Sequence, residues 1–198
     1  MTAQTRNQKS GKVESVVQET AVTGEQLLEM GDIGPIELVN GEIIKQMPTG
    51  HIHGYIEFLI ANLLFNFVKQ HKLGRVLGGE TGIYTRRNPD TVRGMDVAYI
   101  SNERMSQAQE TGFLDVAPEL IVEIMSPTDR WIDIQEKLAE YFSIGVQLVW
   151  LVDPQLEQIH VYRSFDESRR LTAENELTAP EILPGFSVQI SEIFDTAD

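Results

Sequence analysis

The stretch PELIVEIMSPTDRWIDIQEKLAEYFSIGVQLVWLVDP, residues Pro118 to Pro154, decides how the rest of the chain is read. Leu120, Ile121, Val122, Ile124 and Met125 form an apolar run too short for a typical helix and rich in β-branched residues, which suits a buried strand. Ser126-Pro127 stops that strand, and Thr128 or Asp129 is placed to cap a following helix by accepting from a free backbone N–H. Ile134, Leu138, Tyr141 and Phe142 recur at helical spacing, and Gly145 closes the helix. Leu148, Val149, Trp150, Leu151 and Val152 then make a second buried strand, ended by Asp153-Pro154. Two buried strands around one helix predict a parallel crossover unit within an α/β fold.

Glu123 is out of place in that pattern. A carboxylate inside an apolar strand costs several kcal/mol unless it is paired, protonated or bound to a metal. The plain reading is a buried ion pair or a strand-end residue reaching water. A second acid weighs against it: Asp96 opens the short apolar run Asp96-Val97-Ala98-Tyr99-Ile100 after a polar loop. Lys137 lies on the crossover helix, one residue from Leu138 and one turn before Tyr141. Two strand carboxylates and a helix lysine converging on a divalent cation and a water are the apparatus of metal-assisted phosphodiester hydrolysis.

The same residues carry a resemblance. Asp96-Val97, Glu123-Ile124-Met125-Ser126-Pro127, Lys137-Leu138-Ala139-Glu140-Tyr141, Gly145-Val146 and Trp150-Leu151-Val152-Asp153-Pro154 resemble the Uma-two family of restriction-endonuclease-like proteins, abundant in cyanobacteria and part of the PD-(D/E)XK nuclease superfamily. The likeness runs from about Glu37 to Phe194 and is most specific between Glu119 and Pro154. It implies a restriction-endonuclease-like mixed central sheet flanked by helices. It also implies an Mg2+ or Mn2+ ion held by Asp96, Glu123 and the backbone carbonyl of Ile124. The superfamily lysine normally follows the glutamate by two positions, where this chain has Met125, so Lys137 inherits its role. Two positions depart from the family pattern: Met95 replaces a usual proline, and Leu148 a frequent glutamate.

With 198 residues, 41% hydrophobic, the chain has the size and composition of one well-buried domain, expected over residues 23–198 behind a disordered polar lead-in at 1–22. No apolar run reaches the ~18 residues of a membrane helix. The absence of cysteine excludes disulfides and thiolate metal sites and makes a cytoplasmic setting the default. A net charge of −14 opposes a nucleic-acid substrate, because such binding is driven by lysine and arginine displacing counterions. Arg86, Arg87 and Arg93 cluster before Asp96, with Arg104 after it, as either a phosphate clamp or a solvated hairpin tip.

Elsewhere, Thr23 followed by Glu25-Gln26 marks a short helix to Met30. Asn40-Gly41 between Ile36–Val39 and Ile43–Met47 signals a tight hairpin. Ile52, Tyr55, Ile56, Leu59, Ile60, Leu63, Leu64, Phe67 and Val68 describe a long core-packed helix that stops near Gly74. Arg75–Glu80 and Ile83-Tyr84 read as a strand bulged at its glycines, Thr85–Gly94 as a polar turn, and Ser101–Phe113 as a surface excursion. Gln158–Arg163, Leu171–Leu177 and Phe186–Ile190 read as further strands. Four accessory candidates join the site: Glu42 after the hairpin turn, His53 in the first turn of the long helix and beside its apolar stripe, Glu80, and Tyr141. Each has an ordinary alternative as a solvated, strand-edge or packing residue.

The expected function is a magnesium- or manganese-dependent nuclease acting on DNA, with Asp96, Glu123 and Lys137 as its catalytic residues. Two alternatives remain open: a non-catalytic binding module, oligomeric or a homodimer, on the same fold, and a metal-independent hydrolase using Asp96 and Glu123 as an acid/base pair.

Overall fold

The computed structural model describes residues 21–195. Residues 1–20 of the lead-in expected over 1–22 therefore lie outside the described residues, whereas Val22 is already tied in, its amide donating to the Gly41 carbonyl at 2.9 Å. The elements in chain order are α1 (Gly24–Glu29), β1 (Ile36–Val39), β2 (Glu42–Lys45), α2 (His51–His71), β3 (Gly74–Arg86), β4 (Thr91–Ser101), α3 (Asn102–Met105), β5 (Leu120–Ile124), α4 (Trp131–Ser143), β6 (Leu148–Asp153), β7 (Gln158–Tyr162), β8 (Ser168–Leu171), β9 (Glu176–Ala179), β10 (Leu183–Gln189) and α5 (Ile190–Phe194).

Several local expectations are met for the reasons that motivated them. Thr23 and Gln26 form a reciprocal capping box. Asn40 and Gly41 both have positive φ, 51° and 80°, the conformation a two-residue hairpin needs to match strand twist. β3 is a single strand of 13 residues whose register shifts between Gly78 and Thr81, where Gly79 and Glu80 carry positive φ. Other boundaries move. The hairpin between β3 and β4 turns only over residues 87–90, so β4 begins before Asp96 and is buried from Thr91 to Ile100. The cap of α4 is Arg130, without a side-chain bond. Asp129 instead accepts from the Ser126 amide at 2.7 Å and shapes the turn. Leu171–Leu177 is not one strand, because residues between β8 and β9 turn back, and Ile190 begins α5 rather than ending a strand.

The large sheet has the order β2-β1-β4-β5-β6-β7-β8, with β3 paired to β4. It is mostly antiparallel. The parallel pair is β5–β6, joined by α4 as the predicted crossover. One face packs Ile56, Ile60, Leu64 and Val68 of α2, with residues of β9, β10 and α5, against Val97, Tyr99, Val122 and Trp150. The other packs Ile134, Leu138 and Tyr141 of α4 against Ala98, Ile100, Ile121 and Val149. No helix among the described residues is long and apolar enough to cross a membrane.

The feature that positions the site is a division along β4. β1 meets β4 at Leu38↔Val92, and β5 meets it at Val97↔Val122 through Tyr99↔Leu120. Gly94, Met95 and Asp96 fall between these pairings. β3 still pairs with β4 there, at Gly82↔Gly94 and Thr81↔Met95, but among the described residues no strand covers the other edge; polar side chains meet the Gly94 amide and carbonyl instead.

Candidate active site

The β4–β5 pairing ends at Val97↔Val122, so Asp96 and Glu123 are the first residues beyond it on their two strands. Beyond Val97 the strands part, and Asp96 Oδ2 accepts from the Ile124 amide at 2.7 Å. Glu123 is met from α4: Tyr141 donates its hydroxyl to Oε1 at 2.7 Å, and Lys137 Nζ lies 3.2 Å from Oε2. Lys137 and Tyr141 are one helical turn apart, so a single face of α4 delivers both.

Lys137 has a second anionic partner that sequence reasoning did not find. Glu37 of β1 lies 2.9 Å from Nζ and is only 4% exposed. Its carboxylate also accepts from the Gly94 amide at 3.2 Å and from Arg93 Nη1 at 3.0 Å. Arg93 in turn forks onto Glu140, Nε and Nη2 each donating at 2.8 Å. The Gly94 carbonyl faces Lys137 Nζ at 3.4 Å. Gly94 is thus bonded on both sides by site residues, and a Cβ there would lie 2.5 Å from Glu80 Oε2.

The accessory candidates separate. His53 is buried in line with Ile56, Ile60, Leu64 and Val68, inside the stripe rather than beside it, and its Nε2 lies 3.4 Å from Asp96 Oδ2. Glu80 lies over Gly94 beside Asp96, although the residue keeps solvent exposure. Tyr141 is wholly buried on Glu123. Glu42 is exposed on β2 and joins none of these contacts; the hairpin acid that reaches the site is Glu37. The arginine cluster does not form a phosphate clamp. Arg93 is buried between two carboxylates, and Arg87 pairs with Glu25 and Asp90 while lying 3.3 Å over the Tyr84 ring. Arg86 donates to Asn40, and Arg104 to the carbonyls of Ala117, Pro118 and Gly145.

Charge at the site is lopsided. Burial pushes the Glu123 carboxyl up to about 8, opposed by Lys137 and reinforced by Asp96. Partial burial and the neighbouring Asp96 raise Glu80 to about 7. Glu37 stays below its usual value despite its burial, because Lys137 and Arg93 hold it ionised. Lys137 is raised well above its ordinary value by Glu123 and Glu37, which outweigh burial. Carboxylates therefore outnumber cations: Glu37, shared by Lys137 and Arg93, stays ionised, whereas Glu123 and Glu80 are pushed towards protonation. Asp96, Glu123 and the Ile124 carbonyl offer oxygen donors of the kind a divalent cation takes.

The Glu123 shift makes a prediction. The unfolded chain's glutamate ionises near 4.5, whereas the folded one stays protonated to about 8. The folded state therefore binds the extra proton between these values, and metal-free stability falls as pH rises through that window. Glu123→Gln is expected to fold, to flatten this decline and to equal or exceed wild type in melting temperature above pH 8. Thermal melts across pH in chelator decide it. A large loss of stability at every pH would instead make Glu123 one half of a required ion pair.

Comparison with known proteins places this site in context. The model of the Uma2 (Uma-two) family, described as "Putative restriction endonuclease", matches residues 25–191. A solved structure described as "a putative nuclease belonging to DUF820 from Anabaena variabilis ATCC 29413" superposes with a TM-score of 0.73 at 22% identity, covering 87% of this chain and 97% of that one. No curated protein matches the chain. At that identity the superposition establishes a shared fold. The family match spans nearly all the described residues, including every residue of the β4 gap and the α4 face that meets it, and the chain belongs to the Uma2 family of restriction-endonuclease-like proteins.

Proposed function

We propose that the protein is a metal-dependent endonuclease that hydrolyses phosphodiester bonds in DNA, with Mg2+ or Mn2+ held by Asp96, Glu123 and the Ile124 carbonyl. The observation that carries this reading is two carboxylates where β4 and β5 part, Asp96 bonded to the Ile124 amide and Glu123 with the Lys137 ammonium 3.2 Å away. When bound, the ion supplies Lewis-acid polarisation of the phosphate and a more acidic attacking water. The chain's own residues do the rest. Lys137, kept protonated by Glu37 and Glu123, is an electrostatic stabiliser of charge growing on the phosphate rather than a base. Tyr141 fixes the orientation of Glu123. Glu80, near 7, is the site group best matched to accept a proton from water at neutral pH.

Purified protein with Mn2+ and mixed single- and double-stranded DNA tests the assignment, with Asp96→Asn as control. Metal- and Asp96-dependent cleavage is expected. Equal residual cleavage by wild type and Asp96→Asn would expose a contaminant and remove it.

The engaged arginines make a second prediction. Lys69, Lys72 and Arg75 gather at the far end of α2, and Lys69 is sixteen residues from His53, roughly 24 Å along the axis at 1.5 Å per residue. Few phosphates near the site are therefore neutralised. The plot of log affinity against log salt is expected to be shallow, with a slope of about −2 or flatter. A slope near −6 would require basic contacts that this surface does not offer. The same scarcity of free bases favours the second reading, an oligomeric or dimeric interaction module on this fold, which predicts neither turnover nor metal dependence. A cytoplasmic setting accords with a chain that has no cysteine.

A further inference from the structure

We propose that a cavity of about 300 Å³, between α1, the loop that follows it and the β3–β4 pair, takes one unstacked nucleobase with an exocyclic amino group from the strand held at the candidate active site. Resting on the nuclease reading, this occupant narrows its substrate to single-stranded or locally unpaired DNA. Gly94 and Glu80 form part of the cavity wall. Gly94 is also the residue whose amide and carbonyl meet Glu37 and Lys137. Cavity and site thus adjoin along one stretch of β4, and a nucleotide flanking the bond to be cut has its base within reach.

The lining suits a flat, apolar guest with a polar edge. Leu27, Ile36 and Val92 supply apolar wall, and Phe113 adds a half-buried ring. That ring is braced from two sides. A Cβ at Gly82 would come within 2.4 Å of its Cδ1, and Tyr84 meets it at 79° with centroids 5.8 Å apart. A fixed aromatic ring is a platform on which any base stacks. The rim adds discrimination through Asp32, one oxygen of which accepts from the Gly34 amide at 3.0 Å. An ionised carboxylate only accepts hydrogen bonds, so it selects the amino group of cytosine or adenine over thymine, whose corresponding edge offers an acceptor. Charge points the same way. In a chain of net charge −14, Arg87 and Arg93 near the site are already paired with carboxylates, so phosphate contacts contribute little there. Affinity for a strand then has to come from its uncharged bases.

Fluorescence anisotropy on the full chain tests this by binding of labelled ten-nucleotide DNA strands, once with Ca2+ and once in chelator, so that no cleavage is needed. Wild type is expected to bind a thymine strand with one central cytosine or adenine at least about fivefold more tightly than the all-thymine strand. It is also expected to bind that strand more tightly than the same sequence in a duplex, where extruding a base costs binding energy. Phe113→Ala removes the stacking ring and is expected to weaken binding at least about fivefold. Ile33→Trp narrows the mouth and is expected to erase the cytosine preference. Asp32→Asn is expected to erase it too, because an amide both donates and accepts. Thermal melts check folding, and Ile33, 45% exposed, still probes the cavity if Phe113→Ala does not fold. Equal affinity for the all-thymine strand or for the duplex, or a preference untouched by Ile33→Trp and Asp32→Asn, would overturn the pocket and leave the nuclease reading to its own cleavage assay. Base-dependent binding by a protein that cuts no DNA with Mn2+ would keep the pocket and remove the nuclease.

Discussion

Lys137→Met is expected to lower DNA cleavage by at least about 10²–10³-fold, the effect of removing one preorganised stabiliser of transition-state charge, while leaving fold and metal affinity nearly intact. The ammonium lies 2.9 Å from Glu37 and 3.2 Å from Glu123 and faces the Gly94 carbonyl at 3.4 Å. Each partner keeps another bond when it is gone. Glu37 retains Arg93 and the Gly94 amide, and Glu123 retains Tyr141. Metal ligands are oxygens, so affinity for Mn2+ is expected to hold or tighten slightly as a neighbouring positive charge disappears. Because the ammonium acts on charge that grows during reaction, the loss falls on kcat rather than KM. Single-turnover kinetics with saturating Mn2+, alongside calorimetry, separates the outcomes. Cleavage by Lys137→Met within about threefold of wild type would show that the lysine only balances buried acids.

The crossover unit was legible because its signals are local: short β-branched runs, a helical period between them, and punctuation by proline and glycine. Asp96, Glu123, Lys137 and Tyr141 stood out because each broke or edged an apolar pattern, and the structure draws them into one cluster. Glu37 broke a pattern in the same way, a lone acid within Ile36-Glu37-Leu38-Val39, yet the local signal of that segment is only the Asn40-Gly41 hairpin. What buries it is the meeting of β1 with the divided edge of β4, a long-range pairing that no local window contains. Arg93 was hidden by a hairpin turn tighter than its polar composition suggested. His53 and Glu57 carried a fainter signal, the spacing of four that stacks two polar side chains on one helix face. The cap of α4 was misread for a related reason: Asp129 spends its carboxylate on the Ser126 amide, a competing turn bond.

Arg93 carries the largest effect on stability. Its guanidinium is 6% exposed and makes three charged bonds, two to Glu140 and one to Glu37. Burial opposes its charge, but Glu140 and Glu37 more than offset that and hold its pKa above the ordinary value. Removing one partner of a buried pair leaves the other uncompensated, a loss of about 3–5 kcal/mol, which for a chain of this size lowers the melting temperature by roughly 6–20 °C at about 2–4 °C per kcal/mol. Arg93→Met is expected to fall in that range. Arg93→Lys, which keeps the charge but loses the planar fork onto Glu140, is expected to lie between it and wild type. Adding Glu140→Gln to Arg93→Met should recover part of the loss, since the double variant no longer buries an unmatched carboxylate on α4. Thermal or denaturant melts of wild type, Arg93→Met, Glu140→Gln and the double variant close the cycle, with Arg93→Lys measured alongside. If Arg93→Met instead melts within about 1 °C of wild type and loses only DNA affinity, the guanidinium faces phosphate and not Glu37, and the electrostatic frame argued for Lys137 has to be redrawn.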